Sequence, residues 1–133
     1  MKEEERDRMF MGFANQLRLA SKCKRLSVGA VVFDRKLKSV IATGYNGPAP
    51  GCSCGECIPG CKDSVHAEEN ALNRMAWDYL NPCTLYITHS PCVRCAEKIV
   101  RTPCITEVVF LDPYRNTDGI GVLLKSNIKV RQL

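Results

Sequence analysis

Apolar residues recur along the first stretch of the chain at three- and four-residue steps. Phe10, Phe13, Ala14, Leu17 and Ala20 or Ser21 share one side of a helix, and the charged residues before Met9 make its solvated first turns. Val28 to Phe33 is then almost continuously apolar and predicts a buried strand. Asp34 to Lys38 is a polar turn, and Val40 to Tyr45 is the return strand of a hairpin, stopped by Asn46-Gly47-Pro48. From Gly47 to Ser64 there is no period, only Gly, Pro and four Cys, which predicts a long loop. The helical period resumes at His66, with Ala71, Leu72, Met75, Ala76 and Tyr79 on its apolar side. Thr84 to Thr88 is β-branched and aromatic and predicts a strand. Pro91 suits the first turn of a helix whose inward stripe is Cys95, Ala96, Ile99 and Val100. Glu107 to Leu111 is a further buried strand, Ile120 to Lys125 a short helix, and Ile128 to Gln132 an alternating, half-exposed final strand.

The order is helix, hairpin, helix, strand, helix, strand, helix, strand. The last three strands are joined through helices, so they should run parallel with right-handed crossovers. This predicts an α/β protein, a three-layer α/β/α sandwich around a five-stranded mixed sheet. Residues 1–133 make a single domain, without internal repeat or low-complexity tract.

Composition narrows the setting more than the function. A hydrophobic content of 45% and a charged content of 25% are ordinary for a globular chain. No apolar run reaches transmembrane length, and Glu3-Glu4-Glu5 makes the start too acidic for a signal peptide. The expected location is the cytoplasm, or the host cytoplasm if the source is viral. Nine Cys without a secretory signal favour metal and free thiols over disulfides. A net charge of +5 suits a phosphate-bearing small molecule and is too mild to argue for nucleic acid.

The candidate chemistry lies in His66-Ala67-Glu68 and Pro91-Cys92-Val93-Arg94-Cys95. One His and two Cys supply three zinc-type ligands, and Cys92 and Cys95 share a face of one helical turn. Structural zinc is closed by four protein ligands, so three leave a position for water. Two residues from His66, Glu68 cannot point the same way inside a regular helix, which places His66 at the helix start, before regular geometry begins. Glu68 then serves the bound water as acid and base without ligating the metal. Zinc lowers the pKa of such water to about 7, and the reaction class implied is hydrolytic attack on an amidine-like carbon with loss of ammonia.

These residues match the H-x-E…P-C-x-x-C signature of zinc nucleobase deaminases. From Ser21 onward the chain resembles the deoxycytidylate (dCMP) deaminase family of the cytidine deaminase-like fold. The resemblance rests on Ser21-Lys22-Cys23-Lys24-Arg25-Leu26-Ser27-Val28-Gly29-Ala30, Gly44-Tyr45-Asn46-Gly47, His66-Ala67-Glu68-Glu69-Asn70-Ala71 and Ser90-Pro91-Cys92-Val93-Arg94-Cys95. It implies one catalytic zinc on His66, Cys92 and Cys95, Glu68 as acid/base, and conversion of dCMP to dUMP and ammonia. It further implies substrate contacts from the Ala67 carbonyl, Asn46 and Ser90, and a phosphate site from Arg25, Tyr114 and Arg115. A homo-oligomer, a hexamer in many members, with dCTP and dTTP as effectors, belongs to the same expectation, with no membrane or nucleic-acid partner.

The departure from the family lies in the loop. Cys52, Cys54, Cys57 and Cys61 have a spacing suited to a second, structural zinc, with reduced thiols as the alternative. Cys23, Cys83, Cys104 and His89 read as structural. Against dCMP stand another free cytosine nucleotide, including dCTP, or cytosine or adenine in nucleic acid. A non-catalytic zinc module is the third class, and Glu68 would be superfluous in it.

Overall fold

Alternation along the central strands sends successive side chains to opposite faces of one sheet, and each face takes its own helices. The computed structural model describes residues 1–21, 26–48 and 64–133. Arg25 and Cys23, and the four loop cysteines Cys52, Cys54, Cys57 and Cys61, lie outside the described residues. Strands β1 (Gly29–Asp34), β2 (Ser39–Tyr45), β5 (Cys83–His89), β6 (Ile105–Asp112) and β7 (Lys129–Gln132) form the sheet in the order β2-β1-β5-β6-β7. β1 runs antiparallel to β2 and β5, while β5, β6 and β7 are parallel, as the helical connections predict. Two further short strands, β3 (Gly47–Pro48) and β4 (Ser64–Val65), pair with each other. The ends of the expected long loop are therefore a two-stranded ladder.

Ala30, Val32, Leu85, Ile87, Val108 and Phe110 face helices α2 (Ala67–Asn73), α3 (Val93–Val100) and α4 (Asp118–Lys125), and meet Ala71, Ala96, Ile99 and Leu123 there. Val31, Phe33, Tyr86 and Val109 face the other way, toward Met11 and Ala14 of helix α1 (Glu3–Leu17). The result is the three-layer α/β/α sandwich with a five-stranded mixed sheet. Among the described residues, no helix is long and apolar enough to cross a membrane.

Two expectations are corrected. The charged residues before Met9 are not all solvated. Asp7 is buried, accepts a hydrogen bond from the Tyr86 hydroxyl at 2.7 Å, and pairs with Arg131 of β7 at 2.7 and 3.0 Å. Arg131 also donates from Nε to Glu107 of β6 at 3.0 Å, and Thr84 of β5 donates to the same carboxylate at 2.9 Å. Hydropathy reads these positions as polar and surface, but mutual neutralisation is what lets them go inside.

The second correction is helix length. α2 stops at Asn73, so Met75, Ala76 and Tyr79 lie beyond it, in the irregular segment that follows. Met75 and Tyr79 still pack on the core, which is why they mimic a helical period. The chain bends there so that Tyr79 and Asn81 donate to Asp34, whose other oxygen caps the hairpin turn through the N–H groups of Lys36 and Leu37, both at 2.8 Å.

Burial pushes the Asp34 carboxyl up, but the Tyr79 hydroxyl, the Leu37 N–H, the Asn81 amide and the Lys36 N–H outweigh it and hold it at about 2 against the ordinary 3.8. The folded-state value lies below the unfolded one, so the stabilisation is present above about pH 4 and drains away as the pH falls toward 2. Asp34→Asn should therefore unfold at lower urea than wild type at about pH 7, with the gap narrowing at about pH 3. An unchanged gap across that range would remove Asp34 as the hub joining the hairpin to the segment after α2.

Candidate active site

His66 and Cys92 occupy equivalent places. Each precedes a helix with extended backbone, φ −72° and ψ 156° at His66, φ −70° and ψ 169° at Cys92. Each closes the first turn with its own carbonyl: His66 accepts from Asn70 N–H at 3.0 Å and Cys92 from Ala96 N–H at 2.8 Å. An extended residue at a helix start can aim its side chain across the axis, which a helical residue cannot. This brings His66 Nδ1 to 3.1 Å from Cys95 Sγ and 3.6 Å from Cys92 Sγ. Tetrahedral coordination at the usual zinc–nitrogen and zinc–sulfur lengths would set such a pair about 3.6 Å apart, so the three donors fit one zinc ion. Cys95 is buried, Cys92 half-buried and His66 exposed, so the cluster opens to solvent on its histidine side.

The sulfur chemistry agrees. Hydrogen bonds from Cys95 and His66 hold the Cys92 thiol down at about 3, against burial. Cys95, facing that sulfur and itself buried, is pushed up. Two sulfurs and an imidazole nitrogen competing for protons in one small space are the donor set of a borderline-soft dication. Glu68 lies one residue inside α2 and is 5% exposed. Burial, with lesser repulsion from Cys92 and Glu69, raises its carboxyl to about 7 against the pull of its own backbone N–H and of His66. A carboxyl poised there can both take and give a proton near neutrality.

Backbone contacts set both helix starts. A Cβ on Gly44 of β2 would lie 2.4 Å from the Ala67 carbonyl oxygen and 2.6 Å from Ala71 N. A Cβ on Gly119 of α4 would lie 2.1 Å from the Pro91 carbonyl oxygen and 2.9 Å from the Cys92 carbonyl. Only glycine lets β2 and α4 come this close. Asn70 of α2 and Arg74, the residue just past its end, then donate to the carbonyls of Tyr45 and Thr43 on β2, at 2.8 and 2.6 Å.

The other expected residues are distributed around this centre. Ala67 is fully buried, its carbonyl over Gly44. Asn46 is 8% exposed, and its side chain clamps the approach to β1: Oδ1 accepts from Val28 N–H at 2.8 Å and Nδ2 donates to the Leu26 carbonyl at 2.6 Å. Ser90 Oγ accepts from Tyr114 N–H at 2.6 Å, and Ser90 N–H donates to the Asp112 carbonyl at 3.0 Å. Tyr114 and Arg115 are thereby tied to the segment leading into Cys92, Tyr114 half-buried and Arg115 exposed. Glu69 and Arg94, which carry no role in the sequence reading, sit beside the cluster; Arg94 Nη2 donates to both Glu69 oxygens at 3.2 Å. Their only signal in the sequence is adjacency to the ligands.

Comparison with known proteins agrees with this geometry. A family model described as "Cytidine and deoxycytidylate deaminase zinc-binding region" matches residues 4–112. A deoxycytidylate deaminase of Mycobacterium phage D29 is 37% identical over 117 residues, covering 74% of this chain and 89% of that protein. A deoxycytidylate deaminase of Saccharomyces cerevisiae is 38% identical over 141 residues, covering 95% of this chain, which spans 44% of that protein's length. The apo crystal structure of dCMP deaminase from the cyanophage S-TIM5 superposes with a TM-score of 0.87 at 32% identity, covering all of both chains. The same cyanophage enzyme in complex with dCMP and dUMP gives 0.86 at 32% identity, covering 100% and 99%.

The close approaches at Gly44 and Gly119 generate a test. Gly44→Ala and Gly119→Ala should each weaken zinc retention roughly tenfold or more, because each displaces the backbone beside a ligand. Gly12→Ala, at a position with open space, should not. Zinc content after a graded chelator challenge measures the difference, and equal retention in all three proteins would count against backbone positioning of the ligands.

Proposed function

The chain belongs to the cytidine and deoxycytidylate deaminase family, and on that premise we propose that it is a zinc-dependent hydrolase converting dCMP to dUMP and ammonia, acting as one domain over residues 1–133. The observation that carries the reading is Glu68: a buried carboxyl raised to about 7, one residue inside α2 from an open three-donor metal cluster. A structural zinc site has no use for it. The cyanophage enzyme that matches this fold along its whole length holds dCMP and dUMP, which supports the free nucleotide as substrate.

His66, Cys92 and Cys95 would hold the zinc, which when bound would supply the Lewis acidity that brings water within reach of deprotonation near neutral pH. The Glu68 carboxylate would take one proton from the attacking water and deliver it to N3 of cytosine as C4 is attacked. It would then take the second proton, from the C4 hydroxyl, and pass it to the amine, so that the C4–N bond breaks as the C4 carbonyl forms and ammonia leaves. The Ala67 carbonyl, with a lone pair beyond its helical hydrogen bond, accepts from the exocyclic amine. Asn46 holds the approach to β1 and contacts the deoxyribose or the base. Ser90 fixes Tyr114, and Tyr114, Arg115 and Arg25 take the phosphate, two guanidinium groups suiting a dianion. The family likeness supports a homo-oligomer, a hexamer, with dCTP and dTTP as effectors, and a cytoplasmic enzyme. The spacing of Cys52, Cys54, Cys57 and Cys61 supports a second, structural zinc.

Ammonia release from dCMP, dCTP, deoxycytidine and a single-stranded oligonucleotide tests the substrate. dCMP should exceed deoxycytidine in kcat/KM by about a hundredfold or more, since each lost charge-assisted bond is worth about 1.5–3 kcal/mol. Glu68→Ala should keep its zinc and lose at least about 10² to 10⁴ in turnover. Near wild-type turnover in that variant, or equal rates on all four substrates, would refute the assignment. Metal analysis tests the loop. Freshly reduced protein should hold two zinc ions per chain and a Cys54→Ser, Cys57→Ser variant one. A single ion in the wild type would dismiss the second site.

A further inference from the structure

Glu69 follows the acid/base residue and Arg94 stands between the two ligand cysteines, yet neither donates an atom to the three-donor cluster. Their contacts are specific. Glu69 Oε1 receives the Cys95 thiol at 3.8 Å and Arg94 Nη2 at 3.2 Å, and Arg94 Nη2 also reaches Oε2 at 3.2 Å. The Glu69 side chain is 14% exposed and that of Arg94 76%. One turn further along both helices, Lys98 donates to Asn73, so the seam between α2 and α3 carries a second polar rung at the same i, i+4 step.

An exposed Arg–Glu pair ordinarily contributes little, because water screens it and two long side chains must be held still. What sets this pair apart is the other neighbour of the carboxylate. A thiol donates a proton to Glu69, but a cysteine bound to zinc is a thiolate outright and has none to give. In the metal-loaded protein the hydrogen bond from Cys95 is therefore gone, and a mostly buried carboxylate faces an anionic sulfur. The local formal charge makes the same point. Zinc, two thiolates and a neutral imidazole sum to zero, so Glu69 adds an uncompensated negative charge on the Cys95 side. Arg94 is the cation already seated on both oxygens of that carboxylate.

We propose that Arg94 is a positioning residue for the metal centre: held across the α2–α3 seam by Glu69, it neutralises that carboxylate and so permits Cys95 to ligate as a thiolate. The inference rests on His66, Cys92 and Cys95 binding zinc, as the proposed function requires. It makes the pair asymmetric. Losing the arginine strands a carboxylate against the ligand, whereas losing the carboxylate strands an exposed arginine in water. A strut between two helices would be symmetric, failing equally from either side and failing also when both residues are removed.

The experiment is zinc release from the loaded protein to a chromophoric chelator, for wild type, Arg94→Gln, Arg94→Lys, Glu69→Gln and the Arg94→Gln, Glu69→Gln double variant. Cobalt-substituted protein reports the geometry through its sulfur-to-metal charge-transfer band. Arg94→Gln should weaken zinc about ten- to a hundredfold and diminish the band, the usual effect of removing a partner of a ligand. Arg94→Lys keeps the charge and should stay near wild type. Glu69→Gln should lose far less than Arg94→Gln, and adding it to Arg94→Gln should restore most of the lost affinity and the band. A double variant as weak as Arg94→Gln, or an Arg94→Gln protein that holds zinc like wild type, would overturn the proposal. A wild-type protein that binds no zinc fails at the first titration, and that result refutes the metal reading itself and this proposal with it.

Discussion

Two backbone contacts too close for any side chain hold the functional centre together. β2 meets the first turn of α2 at Gly44, and α4 meets the approach to α3 at Gly119. His66 and Cys92 belong to different elements, 26 residues apart in sequence, and a small metal cluster tolerates errors of only tenths of an ångström between them. Side-chain packing alone is a soft spacer. A carbonyl laid directly on a neighbouring glycine is a hard one. The extended caps at both helix starts then convert backbone position into side-chain aim, and the sheet supplies the common floor.

On that floor the centre works against its own electrostatics. Glu68 is desolvated beside a sulfur that favours the anionic form and next to a second carboxylate, Glu69. Such a concentration of negative groups is unfavourable unless cations sit among them. Arg94 provides part of that compensation within the chain, and a dication held by the three donors would provide the rest. Raising Glu68 to about 7 is thus chiefly a consequence of its burial.

Much of this was readable from residues alone. The five strands, the parallel run of the last three, the ligand triad and the placement of His66 ahead of its helix follow from period, spacing and the geometry of helix starts. What escaped reading depends on partners far along the chain. Asp7 looks like any residue of an acidic, solvated turn until Arg131, 124 positions away, closes on it. Tyr79 keeps helical spacing from Leu72 and Met75 while lying outside the helix, because its hydroxyl is drawn to Asp34. Asn46 carries a turn residue's signature, and its amide instead ties down the backbone at Leu26 and Val28. Glu69 and Arg94 gain meaning only when α2 and α3 lie side by side.

The Asp7–Arg131–Glu107 cluster has a consequence for how the molecule comes together. It joins the first helix to the last strand of the sheet, so its loop is nearly the length of the chain, and closing it carries a large entropic cost. Contacts of such high order form late and slow folding. Until β7 docks, Asp7 and Glu107 lack their shared Arg131 guanidinium, and burying Tyr86 beneath α1 leaves the two carboxylates with Arg6 alone, at 3.8 and 3.4 Å. The α1 layer is therefore a lock set from the far end of the chain. Fraying of the final strand would loosen the first helix, and so the β7 edge of this small sheet and the helix on its face stand or fall together.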